Sequence, residues 1–305
     1  MAIYVHIGLP RAASTTLQKT IFPNIEHVAY IGIGKSNIPG LDMDASLFSG
    51  LWNSHGEEFD TISSKWNSKL NHALMYAKST GKDIVVSFEG WCRPSHTIEI
   101  NELANRISQV FRNPTIILLL RNPVDWIESC YGKVVWNQFR TRDVHDPIDL
   151  SSINKYYDLV KSDEKKFFGV CGIEPQTVID AFSGMKQIII PAEYLVANKF
   201  KAVAEINNRW QVSTIVIKKN NERQGIIAMS LARLWFRCPP FVRRLTRDWI
   251  ISIAPKLDAK LKIRDNCRLS KKTKKSILEN YNITGSRAQE STIIKLKGCH
   301  YFDVS

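Results

Sequence analysis

The run Thr115–Leu120 (TIILLL) most constrains what this chain can become. Six consecutive apolar or β-branched residues are too few for a buried helix and suit a strand covered on both faces. It is followed by Asn122-Pro123, an N-cap residue and a proline at the first helical position, so a helix should begin there. Similar unbroken runs occupy residues 3–7 (IYVHI), 84–88 (IVVSF) and 187–191 (QIIIP), and a shorter strand fits 27–31. Between them, helical spacing covers 46–79 and 97–111. The inward face of 46–79 should carry Leu47, Leu51, Trp52, Phe59, Trp66, Leu70, Leu74 and Met75. A further helical stretch, 225–263, is interrupted at Cys238-Pro239-Pro240. Apolar strands alternating with helices predict an α/β fold with a central parallel sheet flanked by helices. With 305 residues, the expectation is one domain, 1–305, with a core over 1–200 and a basic, mostly helical part over 201–305.

In such folds ligands bind at the carboxyl ends of the strands, which directs attention to Gly8–Ser14, Glu89 and Arg121. The segment Pro10-Arg11-Ala12-Ala13-Ser14-Thr15-Thr16-Leu17 leaves a strand and enters a helix. That geometry aims backbone N–H groups and the positive end of a helix at one spot, and three hydroxyls and a guanidinium add donors. An anion is the natural occupant. The order GxxxxGK[ST] is absent, because Ala13-Ser14 stands where it needs Gly-Lys, and this argues against an ATP- or GTP-hydrolysing loop. About 105 residues later Arg121 closes the most hydrophobic strand, and Ser129 follows eight residues on. Glu89 ends the strand 84–88, where a carboxylate beside an anion site could take a proton; His96 lies seven residues beyond. His6, directly before the loop, reads as a hydrogen-bonded structural histidine.

These two segments, residues 3–20 and 84–133, resemble the family of sulfotransferases that use 3′-phosphoadenosine 5′-phosphosulfate (PAPS). The resemblance implies a P-loop-like sulfotransferase fold in which Pro10, Arg11, Ala12, Ala13, Ser14, Thr15 and Thr16 hold the 5′-phosphosulfate. It also implies that Arg121 and Ser129 hold the 3′-phosphate. The family usually has lysine where Arg11 stands and often glycine where Ala13 stands. Glutamate at the strand end is the base in its glycan-modifying and bacterial members, so Glu89 is the expected general base. Arg11 is expected to stabilise the leaving phosphate, with no metal. The implied activity is sulfuryl transfer from PAPS to a hydroxyl, most plausibly of a saccharide or glycolipid, releasing 3′-phosphoadenosine 5′-phosphate. Two alternatives stand beside it: an atypical P-loop kinase, and a non-catalytic nucleotide-binding protein of the same fold.

Charge is divided unevenly. Residues 1–200 carry 20 basic and 21 acidic side chains, and 201–305 carry 22 and 8, so the net charge of +13 resides in the last third. This suggests an anionic partner. An acidic-saccharide groove is one reading; peripheral contact with an anionic inner leaflet, through Trp and Phe around 235–250, is another. No nucleic-acid partner is expected. Arg264, Lys271 and Lys272 are candidates to cover the nucleotide. Six scattered cysteines, no basic leader before Ile3 and no run of about 18 apolar residues predict a cytoplasmic protein without a transmembrane span.

Overall fold

The computed structural model describes residues 1–8, 12, 14–92, 98–141, 150–162, 175–210, 226–261, 269–280 and 292–293. Pro10, Arg11, Ala13, His96 and Arg264 lie outside these residues. The chain divides into two compact units that interleave along the sequence, which cuts across the division at residue 200. A sheet unit takes Met1–Asn122, Gly172–Lys218 and Asn282–Ser305, and a helical unit takes Pro123–Cys171 and Lys219–Tyr281.

In the sheet unit, β1 (Ile3–Gly8) leads into a helical stretch that starts with α1 (Ser14–Thr16) and continues as a wider turn to Ile21 and a tighter one to Asn24. There follow β2 (Val28–Gly32), β3 (Lys35–Ser36), α2 (Ala45–Asn53), α3 (Gly56–Thr80), β4 (Asp83–Ser87), α4 (Ile100–Val110) and β5 (Thr115–Leu120). In the helical unit lie α5 (Pro123–Thr141) and α6 (Ile153–Ser162). The chain returns to the sheet unit with α7 (Pro175–Ala181), β6 (Gln187–Pro191), α8 (Ala192–Ala197) and α9 (Lys199–Ile206). It then adds α10 (Ile226–Arg237), α11 (Pro240–Leu261) and α12 (Lys271–Asn280) to the helical unit, and β7 (Thr292–Ile293) to the sheet.

The described strands form one sheet in the order β3-β2-β4-β1-β5-β6-β7. All pairs are parallel except β2 with β3. This is the predicted α/β architecture, and every long apolar run is a strand. β1 is central, so Val5, Ile7 and the whole of residues 116–120 in its neighbour β5 are buried. The chain winds to opposite sides of β1, toward β4 and β2 first and then toward β5 and β6. Such a reversal opens a crevice at the carboxyl edge.

The helical stretch 46–79 is two helices rather than one. Asp44 caps α2 by accepting from Ser46 N (3.0 Å), and Ser54-His55 are extended before α3 begins. α3 stops at Gly81, whose φ of 66° provides the left-handed cap. Its inward face is Trp66, Leu70, Ala73 and Ala77, the i, i+4, i+7, i+11 set, while Met75 is 68% exposed. Met75 therefore leaves the predicted face: small alanines, not the larger side chain, fill the narrow space against the sheet. In the helical unit a second core gathers Trp136, Phe139, Tyr156, Trp235 and Ile277.

Candidate active site

The site is built at the carboxyl edge of β1 and β4. His6 and Ser87 are direct partners in the parallel ladder, so their side chains share one face of the sheet. His6 is fully buried and its Nδ1 lies 2.6 Å from Ser87 Oγ. Burial lowers the His6 pKa from 6.5 to about 3, so the ring is neutral. Ser87 in turn hydrogen-bonds the Tyr30 hydroxyl from the other side, and burial raises the Tyr30 pKa. Tyr30 reaches Ser87 because Gly32, two residues along β2 and paired with Ser87, has no Cβ to block the ring.

The far side of His6 is different. Its Nε2 and the hydroxyl of Ser14, which is 1% exposed, are both buried without a hydrogen-bond partner. Both crowd Gly8. A Cβ on Gly8 would overlap Ser14 Oγ and lie 3.1 Å from His6 Nε2, so only glycine admits this approach. Buried polar atoms are rarely left unsatisfied, and these two lie together beside Gly8, between the end of β1 and the start of α1. Where Ser87 donates to Nδ1, the neutral ring carries its proton on Nε2, and Nε2–H and the Ser14 hydroxyl are both left to donate to an anion. Ala12 is buried, and Thr15 and Thr16 are half-buried on the next residues.

One strand away lies a pocket of about 540 Å³, lined by Gln18, Lys19, Tyr30, Ile33, Gly34, Ser87, Phe88, Glu89 and Gly90. Its volume is in the range of small-molecule sites, about 300–1,000 Å³. Glu89 opens a tight turn, Glu89–Cys92, that follows β4. The turn is anchored by Trp91, fully buried, whose indole N–H donates to Phe48 O (3.0 Å). Phe88 packs edge-on to Trp91 at 5.4 Å and needs the glycine at position 90 for its ring. Glu89 is thus carried on a rigid turn and half-exposed toward the pocket.

The structure brings Glu89 to the pocket, with Ser14 beside Gly8 at the end of β1 next door. Arg121 closes β5 in the sheet unit, half-exposed, and the following Asn122 N–H donates to Glu193 (3.0 Å). Ser129 is buried on α5 of the helical unit. Its neighbour Glu128 accepts from Leu269 N (3.0 Å) and pairs with Lys274 (3.1 Å), tying α5 to α12. Lys271 and Lys272 are exposed at the start of α12. Tyr30, Ser87, Gln18 and Lys19 were not among the sequence candidates. Ser87 is the one with a visible signal, a hydroxyl inside an apolar strand that ends at the candidate base.

No family model and no curated protein sequence matches the chain. Among solved structures it is similar to a sulfotransferase from Alicyclobacillus acidocaldarius, at 12% identity and a TM-score of 0.46, covering 87% of this chain and 97% of that one. The likeness is a distant one in fold.

Proposed function

We propose that this chain transfers a sulfuryl group from PAPS to a hydroxyl of a saccharide or glycolipid. The observation that carries this reading is the pair of buried, unpartnered polar atoms, Ser14 Oγ and His6 Nε2, between the end of β1 and the start of α1. A 5′-phosphosulfate would supply the missing acceptors. Gly8 admits Ser14 and His6 close to the strand end, and these polar groups fit the chemistry of such an anion. Arg11 and the hydroxyls of Ser14, Thr15 and Thr16, with the loop amides of residues 10–13, would hold it. Arg121 is assigned to the 3′-phosphate, and the eight-residue spacing in the sequence brings Ser129 into that assignment.

In this reading Glu89 accepts the proton of the acceptor hydroxyl as that oxygen bonds to sulfur. The bond from sulfur to the bridging phosphate oxygen breaks, and Arg11 offsets the charge that develops there. The pocket favours a polyhydroxylated acceptor. Glu89, Lys19, Gln18, Ser87 and Tyr30 offer hydrogen bonds around one volume, with Phe88 as an apolar wall. Action from the cytoplasmic side belongs to the same proposal.

Calorimetry with 3′-phosphoadenosine 5′-phosphate, against ADP, tests the donor. Transfer of radiolabelled sulfate from PAPS into lipid, polysaccharide and small-molecule pools tests the reaction. Preference for ADP would move the chain to the kinases; tight binding without transfer would make it a nucleotide-binding protein.

A further inference from the structure

The sequence places aromatics and arginines together over residues 235–250, and the structure separates them into two sets. Trp235 and Phe236 are buried in the core of the helical unit. The Trp235 N–H donates to Arg243 O (2.8 Å), and Arg243 returns hydrogen bonds to Cys238 O (2.7 Å) and Phe236 O (3.0 Å). These bonds latch the turn between α10 and α11. The second set faces outward. Phe241, Leu245 and Trp249 are 67%, 78% and 56% exposed, and Leu234, near the end of α10, is 56% exposed. Half of the large apolar side chains exposed among the described residues therefore fall within 16 residues of chain.

Positions 241, 245 and 249 follow i, i+4, i+8, so the three side chains form one stripe roughly 12 Å long on α11. Ile250 and Ala254, on the opposite side, are buried, so the helix is already packed and the stripe is left over. Exposed apolar groups clustered this way mark an interaction surface. Its charge is mainly positive: α10 and α11 carry seven basic and two acidic residues, and among them Arg237, Arg244 and Lys256 are exposed, as is one carboxylate, Asp248.

We propose that this face of α11 docks on an anionic lipid bilayer. Charge complementarity selects the occupant. A second copy would bring the same positive surface against itself. A nucleic acid would take the arginines and leave Phe241, Leu245 and Trp249 in water. A bilayer interface accepts both, with Phe, Leu and Trp in the boundary of head groups and chains and the cations against anionic head groups. No described helix is long and apolar enough to cross a membrane, so the contact is peripheral. The proposal stands independently of the transfer reaction, because it rests on the helical unit alone.

Co-sedimentation of the full chain with vesicles tests it. Vesicles of equal parts phosphatidylcholine and phosphatidylglycerol should carry the protein down and pure phosphatidylcholine should not. Rising salt should release it. The triple variant Phe241→Ser, Leu245→Ser, Trp249→Ser should bind at least about tenfold more weakly. Each of Arg244→Gln and Lys256→Gln should cost about fivefold. Unchanged melting and unchanged affinity for 3′-phosphoadenosine 5′-phosphate in the triple variant would show that fold and nucleotide site are intact. On anionic vesicles, the tryptophan emission of wild type should shift to the blue, and Trp249→Phe should lose most of that shift. No binding to anionic vesicles, or equal binding by wild type and triple variant, overturns the proposal. So does a concentration-dependent dimer that the triple variant abolishes, which would assign the stripe to a second copy.

Discussion

The two ends of the central sheet each hold a carboxylate, and the fold treats them in opposite ways. At the amino edge Asp83, which opens β4, is 2% exposed. It accepts from Ala2 N (2.7 Å), Asn207 Nδ2 (2.9 Å) and the Trp210 indole N–H (3.3 Å). Asn207 also donates to the Tyr4 hydroxyl (3.2 Å). This cluster ties the first residues, β4 and the segment after α9 into one lock. At the carboxyl edge Glu89 lines an open pocket, and Ser14 Oγ and His6 Nε2 are buried without partners. The Asp83 cluster at one end holds the sheet together, and at the other Ser14 Oγ and His6 Nε2 lie together without partners. Local rules are commonly broken at functional sites, so the end where two unpartnered polar atoms meet is where function is sought.

The contrast is sharpest at the two carboxylates. Glu89→Gln should lower sulfuryl transfer by about 10²–10⁴-fold, the range of general-base catalysis, with melting temperature and nucleotide affinity unchanged. Full transfer by this variant would remove Glu89 from the mechanism. Asp83→Ala should do the reverse. It leaves the Trp210 and Asn207 donors without their acceptor, and the loss should be about 3 kcal/mol in urea unfolding. An Asp83→Ala protein as stable as wild type would mean the amino edge is no lock.

Ser14→Ala separates the ends in a different way. Removing a hydroxyl that already has no partner should cost the free protein almost nothing, whereas removing a satisfied one would destabilise it. Affinity for 3′-phosphoadenosine 5′-phosphate should nevertheless fall about tenfold, the worth of one hydrogen bond to a charged group. A variant that is destabilised yet binds normally would show that Ser14 serves the fold.

The fold was legible because its signals are local. Thr115–Leu120, Gln187–Pro191 and the other apolar runs need no partner to declare themselves, and Cys238-Pro239-Pro240 announced the break between α10 and α11. The site was legible in part. Glu89 stands at a strand end that any reading of 84–88 would find. What stayed hidden depends on register and packing. Ser87 and His6 are 81 positions apart, and Tyr30 joins them only across Gly32. The exposure of Met75 was missed because helical spacing leaves the face ambiguous by a residue or two, and the sheet chose the alanines. Trp235 and Phe241 look alike in sequence; tertiary packing alone decides that one is core and the other surface.

A test of another kind of the difference between the two ends is the acid response of His6. Its pKa is held at about 3 by burial, against 6.5 in an unfolded chain. Between those values the unfolded chain binds a proton that the folded one refuses. Stability from this group is therefore independent of pH above 6.5 and falls as pH drops toward 3, by roughly 1.4 kcal/mol per pH unit. Tyr30, the other titratable group in the chain of hydrogen bonds, has a raised pKa and stays neutral throughout. His6→Gln keeps an amide N–H near the Nε2 position and cannot titrate, so its urea midpoint should lack this component of the acid slope. Other groups cancel in the difference between the two proteins. Identical acid slopes would mean that water or a proton reaches His6 in the folded state, and that the carboxyl edge is less dry than its burial shows.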